Sequence, residues 1–255
     1  MRGLTAEDTV VIKMKISERW QELRETFSPN LWTVLALFCG VLLPLIVLGK
    51  IADNVHDGDT FGFDDQILLF VHRYASPARD PWVMGITDLG RVQWMVPFCT
   101  LVTVGLWWKK RRQQATFFAF ASAGAAILNL VAKLFFGRER PNLWTSPAPE
   151  TDYGFPSGHA MVSMAVMLAL VILLWPTRWR WLMAIFAVVF VIVIGWTRLY
   201  LGVHYPTDVL GGWCAATGWV GGLSMALLAR RKWKARLEKL KQKVQNGVQE
   251  VTPTP

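Results

Sequence analysis

Apolar residues fall in six long blocks, at 31–49, 92–108, 115–136, 160–175, 182–196 and 209–229, with polar or charged segments between them. A helix that crosses the hydrocarbon core of a bilayer needs about 20 such residues, within a range of about 17–25. The blocks at 160–175 and 182–196 are short unless their flanks are counted, and those flanks carry Trp175, Trp179, Trp181 and Trp196. Tryptophan at the ends of an apolar run is an interfacial anchor. The pattern predicts an all-α fold: a six-transmembrane-helix bundle over 31–229 with short interfacial helices.

Outside the blocks the period changes. Ile12, Ile16, Trp20, Leu23 and Phe27 recur at helical spacing among charges, which predicts an amphipathic helix over 10–27 lying on the inner leaflet, within an N-terminal segment 1–30. The segment 51–91 is acidic, with Asp53, Asp57, Asp59, Asp64, Asp65, Asp80 and Asp88. Each acidic cluster precedes a short periodic apolar run, so Asp64 or Asp65 and then Asp80-Pro81 are read as helix starts rather than metal ligands. Two short helices are expected there, over the outer ends of the bundle. In the tail 230–255, Trp233, Leu237, Leu240 and Val244 form one stripe among Lys and Arg, which predicts an inner-surface helix, with a disordered end at 251–255.

Composition fits a membrane protein, with 53% hydrophobic residues and 14 tryptophans. The net charge of +9 could suggest nucleic acid, but its distribution excludes that reading. Of 27 Lys and Arg, 19 lie in 1–30, 109–112, 177–181 and 230–243, all on one side of a six-span chain. By the positive-inside rule that side is cytoplasmic, with both termini inside. Cys39, Cys99 and Cys214 each sit in an apolar block and read as small buried hydrophobes, without metal or disulfide spacing. No small-residue cleavage site follows the first block, so it is expected to remain as an anchor. Runs such as Ala121–Ala126 and Gly211, Gly212, Gly218, Gly221, Gly222 predict close helix packing, and Asn129 is read as polar glue inside the bundle.

Three stretches break the membrane pattern. They are Lys133 to Arg138-Glu139-Arg140-Pro141, Tyr153-Gly-Phe-Pro-Ser157-Gly158-His159, and Arg198 to His204-Tyr-Pro-Thr-Asp208. Pro156 and Ser157 suit a helix N-terminus, whose free N–H groups and dipole suit a phosphate. Counting spans places all three stretches on the outer face, opposite the general Lys/Arg excess. Lipid snorkelling would account for one or two such cations but not for a histidine and aspartate four residues apart.

These stretches resemble the three-part signature of the type 2 phosphatidic acid phosphatase superfamily, which holds membrane lipid phosphatases and, more distantly, soluble acid phosphatases and vanadium haloperoxidases. The signature's Lys and Arg-Pro match Lys133 and Arg140-Pro141; its Pro-Ser-Gly-His matches Pro156–His159; its Ser-Arg, His and Asp match Thr197-Arg198, His204 and Asp208. Threonine stands at 197 where serine is usual. The motifs cover 133–208, and the six-span layout extends the likeness over most of the chain.

The resemblance, together with phosphoryl-transfer chemistry, implies roles. Lys133, Arg140 and Arg198, with Ser157 and the Gly158 N–H, bind the phosphate and stabilise its spreading charge. His204 is the nucleophile that becomes phosphohistidine, Asp208 orients it, and His159 protonates the leaving oxygen and then activates water. No metal or cofactor is implied. Arg138 and Glu139 read as loop charges, and Tyr200 and Tyr205 as interface-belt residues. The implied activity is hydrolysis of a lipid phosphate or diphosphate (undecaprenyl diphosphate, phosphatidylglycerophosphate or phosphatidic acid) on the outer, periplasmic face of a bacterial inner membrane. The partners are then the lipid substrate and the surrounding lipids, with no nucleic acid. A lipid-to-lipid phosphotransferase of the same family is the first rival. A non-catalytic six-helix lipid-binding or transport protein is the second.

Overall fold

The structure, a computed structural model, describes residues 34–35, 37–58 and 61–251, with side chains described through Lys239 and at Gln242. The helix expected over 10–27 and the last residues, 252–255, lie outside the described residues. All regular structure among the described residues is helical. α1 is Phe38–His56, its first turns, Phe38–Leu42, π-helical; α2 is Gly62–His72; α3 is Asp80–Asp88; α4 is Val92–Trp108. α5 is Arg112–Phe136, α6 Gly158–Leu174, α7 Arg180–Tyr200 and α8 Pro206–Val251.

Five helical stretches are long and apolar enough to cross a membrane: Phe38–His56, Asp80–Trp108, Arg112–Phe136, Arg180–Tyr200 and Pro206–Lys239. The block at 160–175 forms α6, which is apolar but only 17 residues long. Leu101, Leu134, Phe135, Ile185 and Val188 stand exposed on the outer faces of these helices. A surface of that kind belongs in lipid, where helices satisfy their own backbone polar groups. The protein is an integral membrane protein built as a helical bundle.

α6 is the hub, packed against α5, α7 and α8, while α1 lies on α8 and α4 on α5. Its Ala165, Val166 and Ala169 are fully buried and cluster with Phe118, Ala121 and Ala125 of α5 and Ala216 and Val220 of α8. Small residues set the approach. A Cβ on Gly212 would lie 2.9 Å from Ser157 O and 3.1 Å from Met161 N, so only glycine lets α8 touch the start of α6. Asn129 donates to Pro156 O at 3.0 Å, tying α5 to the same point, as glue.

Several local expectations are corrected. α2 and α3 are the two short helices expected in this segment, but neither is started by an aspartate cap: Phe61 and Arg79 occupy the cap positions without side-chain bonds. Asp64 is buried instead against Thr207 and Arg138, and Asp80 accepts a hydrogen bond from Tyr200 Oη at 2.9 Å. Tyr200 is therefore no belt residue; it is buried with Val71, Val83, Leu201 and Val203. Cys214 is buried and Cys99 partly so, but Cys39 is exposed. The tail is not a separate helix: α8 continues from 206 through 251 without a break.

Gly212→Ala is expected to force α8 off the α6 N-terminus at a cost of about 1–3 kcal/mol, the usual range for overpacking. Thermal unfolding in detergent measures the cost, and activity reads the displacement. An unchanged midpoint with full activity would contradict this close contact.

Candidate active site

Three chain reversals meet at one end of the bundle. α5 stops at Gly137, whose φ of +58° is left-handed and whose N–H bonds Lys133 O at 3.0 Å. That turn leaves Lys133 on the last helical turn and throws Arg138 and Arg140 back over the bundle end. The segment returns through a cis Phe155-Pro156 bond to Ser157, the N-cap of α6. After α7, residues 201–205 turn into α8 and bring His204 and Asp208 beside it. The Ser157 N–H donates to Asp208 O at 3.0 Å and closes the three segments on one another.

All the residues singled out from the sequence are brought together here. Arg140 donates through Nη1 to His204 Nε2 at 3.0 Å and to Val203 O at 2.6 Å. Arginine can only donate, so Nε2 of His204 carries the lone pair and Nδ1 the proton. Nδ1 lies 3.4 Å from Asp208 Oδ2, a contact rather than a closed hydrogen bond; Oδ2 also accepts the Tyr205 N–H at 2.8 Å. Burial first, then the charges of Arg140 and Arg198, hold His204 well below the ordinary imidazole value and so favour its neutral form.

The cations are already partnered by two carboxylates of the returning segment. Glu150 pairs with Arg198 and, at 2.7 Å, with Arg140; Asp152 pairs with Lys133 and, at 2.6 Å, with Arg140. Glu150 Oε2 is 3.9 Å from His204 Nε2. Burial opposes the charge on Glu150, but the charges of Arg198 and Arg140 outweigh it and lower its value. Burial opposes Asp152 as well, yet Lys133 and Arg140 bring its carboxyl down to about 2.

Four buried polar atoms around the cations have no hydrogen-bond partner in the protein: Ser157 Oγ, His159 Nε2, Arg198 Nε and His204 Nδ1. Ser157 thus holds the cap position but leaves its hydroxyl free. Such atoms cost about 1–3 kcal/mol each when unsatisfied, a penalty that a ligand rich in acceptor oxygens relieves. A cavity of about 530 Å³ opens beside them, with Lys133, Glu150, His159 and His204 on its polar side and Met95, Leu130 and Val162 on its apolar side. The arrangement can hold a tetrahedral anion against a neutral imidazole lone pair, with an apolar chain alongside.

Sequence reading missed five contributors. Arg138 is not a loop charge: it bonds Asp208 Oδ1 at 2.5 Å and stacks on the Tyr205 ring at 4.4 Å, which also removes Tyr205 from the interface belt. Glu139 remains an exposed loop charge. Thr87 of α3 accepts from Arg198 Nη1 at 2.9 Å and meets Thr197 Oγ1 at 3.0 Å, so the hydroxyl at 197 is used. Asp64, Glu150 and Asp152 complete the set. The signal for Glu150 and Asp152 was their position between two cationic motifs; Thr87 gave none.

The PAP2 superfamily profile matches residues 114–233. A lipid A 4'-phosphatase of Bacteroides thetaiotaomicron is 32% identical over 69% of this chain and 80% of its own length. An undecaprenyl-diphosphatase of Sulfolobus acidocaldarius is 24% identical over 73% of this chain and 89% of its own. The fold matches the crystal structure of a transmembrane PAP2-type phosphatidylglycerolphosphate phosphatase from Bacillus subtilis, with a TM-score of 0.66, 23% identity, and coverage of 74% of this chain and 96% of that one.

Because Glu150 and Asp152 sit on the same cations as an incoming phosphate, Glu150→Gln and Asp152→Asn should each tighten vanadate or orthophosphate inhibition. Both carboxyls are depressed, so they remain ionised as pH falls, and the gain should persist from about pH 7 to about pH 5. Inhibition constants against a soluble substrate at both pH values check this; unchanged or weaker binding in the variants would contradict it.

Proposed function

The chain belongs to the PAP2 superfamily, and from that premise we propose that it is a metal-independent phosphatase that hydrolyses a lipid phosphate or diphosphate through phosphohistidine. The observation that carries the reading is the Arg140–His204 contact, which sets a neutral Nε2 lone pair beside Arg140, one of three cations joined through Glu150 and Asp152. Undecaprenyl diphosphate, phosphatidylglycerophosphate and phosphatidic acid are the candidate substrates. The lipid chain lies along the apolar side of the cavity and the headgroup displaces Glu150 and Asp152.

In the first step Nε2 of His204 attacks phosphorus, an N–P bond forms and the P–O bond to the lipid breaks. The leaving oxygen takes a proton from His159. In the second step His159 accepts a proton from water, the resulting hydroxide attacks phosphorus, and the N–P bond breaks to release phosphate. Lys133, Arg140 and Arg198, with the Ser157 hydroxyl and the Gly158 N–H, stabilise the charge on the transferring oxygens. Asp208 holds the Nδ1 proton. The cations supply the neutralisation that a metal supplies elsewhere.

Counting α6 as a crossing gives six, with both termini cytoplasmic and the site outside. The arrangement of charge supports this. Lys109–Arg112, Arg178 with Arg180, and the basic run from Arg230 lie at the ends of α4–α8 opposite the site.

Purified protein should release phosphate from at least one of the three lipids with EDTA present, and His204→Ala should reduce release to background. Turnover that appears only with added divalent cation, or survives in His204→Ala, would contradict the mechanism. Single cysteines at 137–149 should react with an impermeant reagent added outside cells. Labelling there only after permeabilisation would reverse the orientation.

A further inference from the structure

Behind the His204–Asp208 pair lies a second, buried layer that reaches an outer helix. Arg138 donates through Nη1 to Asp208 Oδ1 at 2.5 Å and to Thr207 Oγ1 at 2.8 Å, and through Nη2 to Asp64 Oδ2 at 3.1 Å. Asp64, from the first turn of α2, accepts the Thr207 N–H at 3.1 Å and its hydroxyl at 2.6 Å. Asp64 and Asp208 are both buried, and the Arg138 side chain is 9% exposed. Their surroundings contribute His204 and the Tyr205 ring from the 201–205 turn and Arg140 from the 138–157 segment. Among the described residues, Arg138 is the only cation in hydrogen-bond contact with Asp208.

We propose that Arg138, gripped by Asp64, is a positioning residue for the nucleophile: it commits Oδ1 of Asp208 to its own guanidinium and thereby turns Oδ2 toward His204 Nδ1. This rests on the reading of His204 as the nucleophile. The geometry leaves Asp208 little other freedom. With Oδ1 held by Arg138, Oδ2 has the Tyr205 N–H at 2.8 Å and His204 Nδ1 at 3.4 Å. A buried carboxylate without a cation would be strongly disfavoured. The guanidinium bridges two carboxylates and a threonine hydroxyl while stacking on Tyr205, which the point charge of a lysine cannot reproduce. Asp64 closes the chain of alternating charges and couples the placement of α2 to the orientation of the imidazole. The outer helix is thereby part of the catalytic apparatus rather than a cover over the bundle.

The test is a double-mutant cycle on the full-length protein, reading kcat and KM on a soluble short-chain lipid phosphate, with thermal unfolding alongside. Arg138→Gln should lower kcat about 10–100-fold, the size found for partners that orient a metal-bound histidine, with KM changed less than about two-fold. In the Asp208→Asn background the same change should alter kcat less than about two-fold, because its route of action is gone. Arg138→Lys should restore only part of the loss, and Asp64→Asn should lower kcat in the same sense by less. Losses that multiply in the double variant, or a wild-type kcat in Arg138→Gln, would overturn the proposal. If Arg138→Gln does not accumulate as folded protein, Asp64→Asn enters the cycle in its place, and multiplying losses there overturn it equally. An Asp208→Asn protein with full turnover would overturn it as well, whereas turnover in His204→Ala would instead sink the nucleophile reading on which the proposal rests.

Discussion

Three cations at the end of an apolar bundle repel one another, and the site can exist only because something neutralises them. In this structure Glu150 and Asp152 do so, each bridging two of Lys133, Arg140 and Arg198. Desolvating an ion costs several kcal/mol, so removing one partner from such a group leaves a heavy penalty. The rest of the architecture follows from that requirement. Gly137 reverses the chain so that Arg140 and the acidic segment face the helix ends, and Gly212 lets α8 come close enough to place His204 and Asp208 beside Ser157.

The same neutralisation suits turnover. In the proposed reaction a phosphate takes the place of the carboxylates at the cations, and when it leaves, the carboxylates return, so the cations are neutralised in both states. Arg140 has a double part, since one nitrogen touches His204 Nε2 and another holds Glu150 and Asp152. It therefore fixes the imidazole tautomer while bridging the imidazole to the two carboxylates. Met95 of α4, Leu130 of α5 and Val162 of α6 form the apolar wall of the cavity, the wall along which the proposed function lays the lipid chain.

Much of this was legible in the sequence because it is local. The apolar blocks gave every long helix, and the spacings among Lys133, Arg140, Ser157, His159, Arg198, His204 and Asp208 converge in space. The unread part is long-range pairing. Asp64 meets Thr207 across 143 positions and Thr87 meets Arg198 across 111, and no periodicity encodes either. Capping logic misassigned Asp64 and Asp80 for the same reason, since a tertiary partner outcompeted the helix end. Tyr200 was misplaced because aromatic residues near a span end satisfy both an interface and a buried contact. The continuity of α8 could have been read: from Leu223 to Asn246 the chain holds neither glycine nor proline.

The central claim is that phosphorus is transferred to Nε2 of His204. Acid-quench trapping during turnover of labelled lipid phosphate, followed by mapping of the acid-labile label, tests it most directly. The account predicts a phosphohistidine at residue 204, substituted at Nε2 and absent when Nε2 is blocked by prior vanadate binding. Label on His159, label on Nδ1 of His204, or turnover under conditions that trap no covalent phosphate would contradict it.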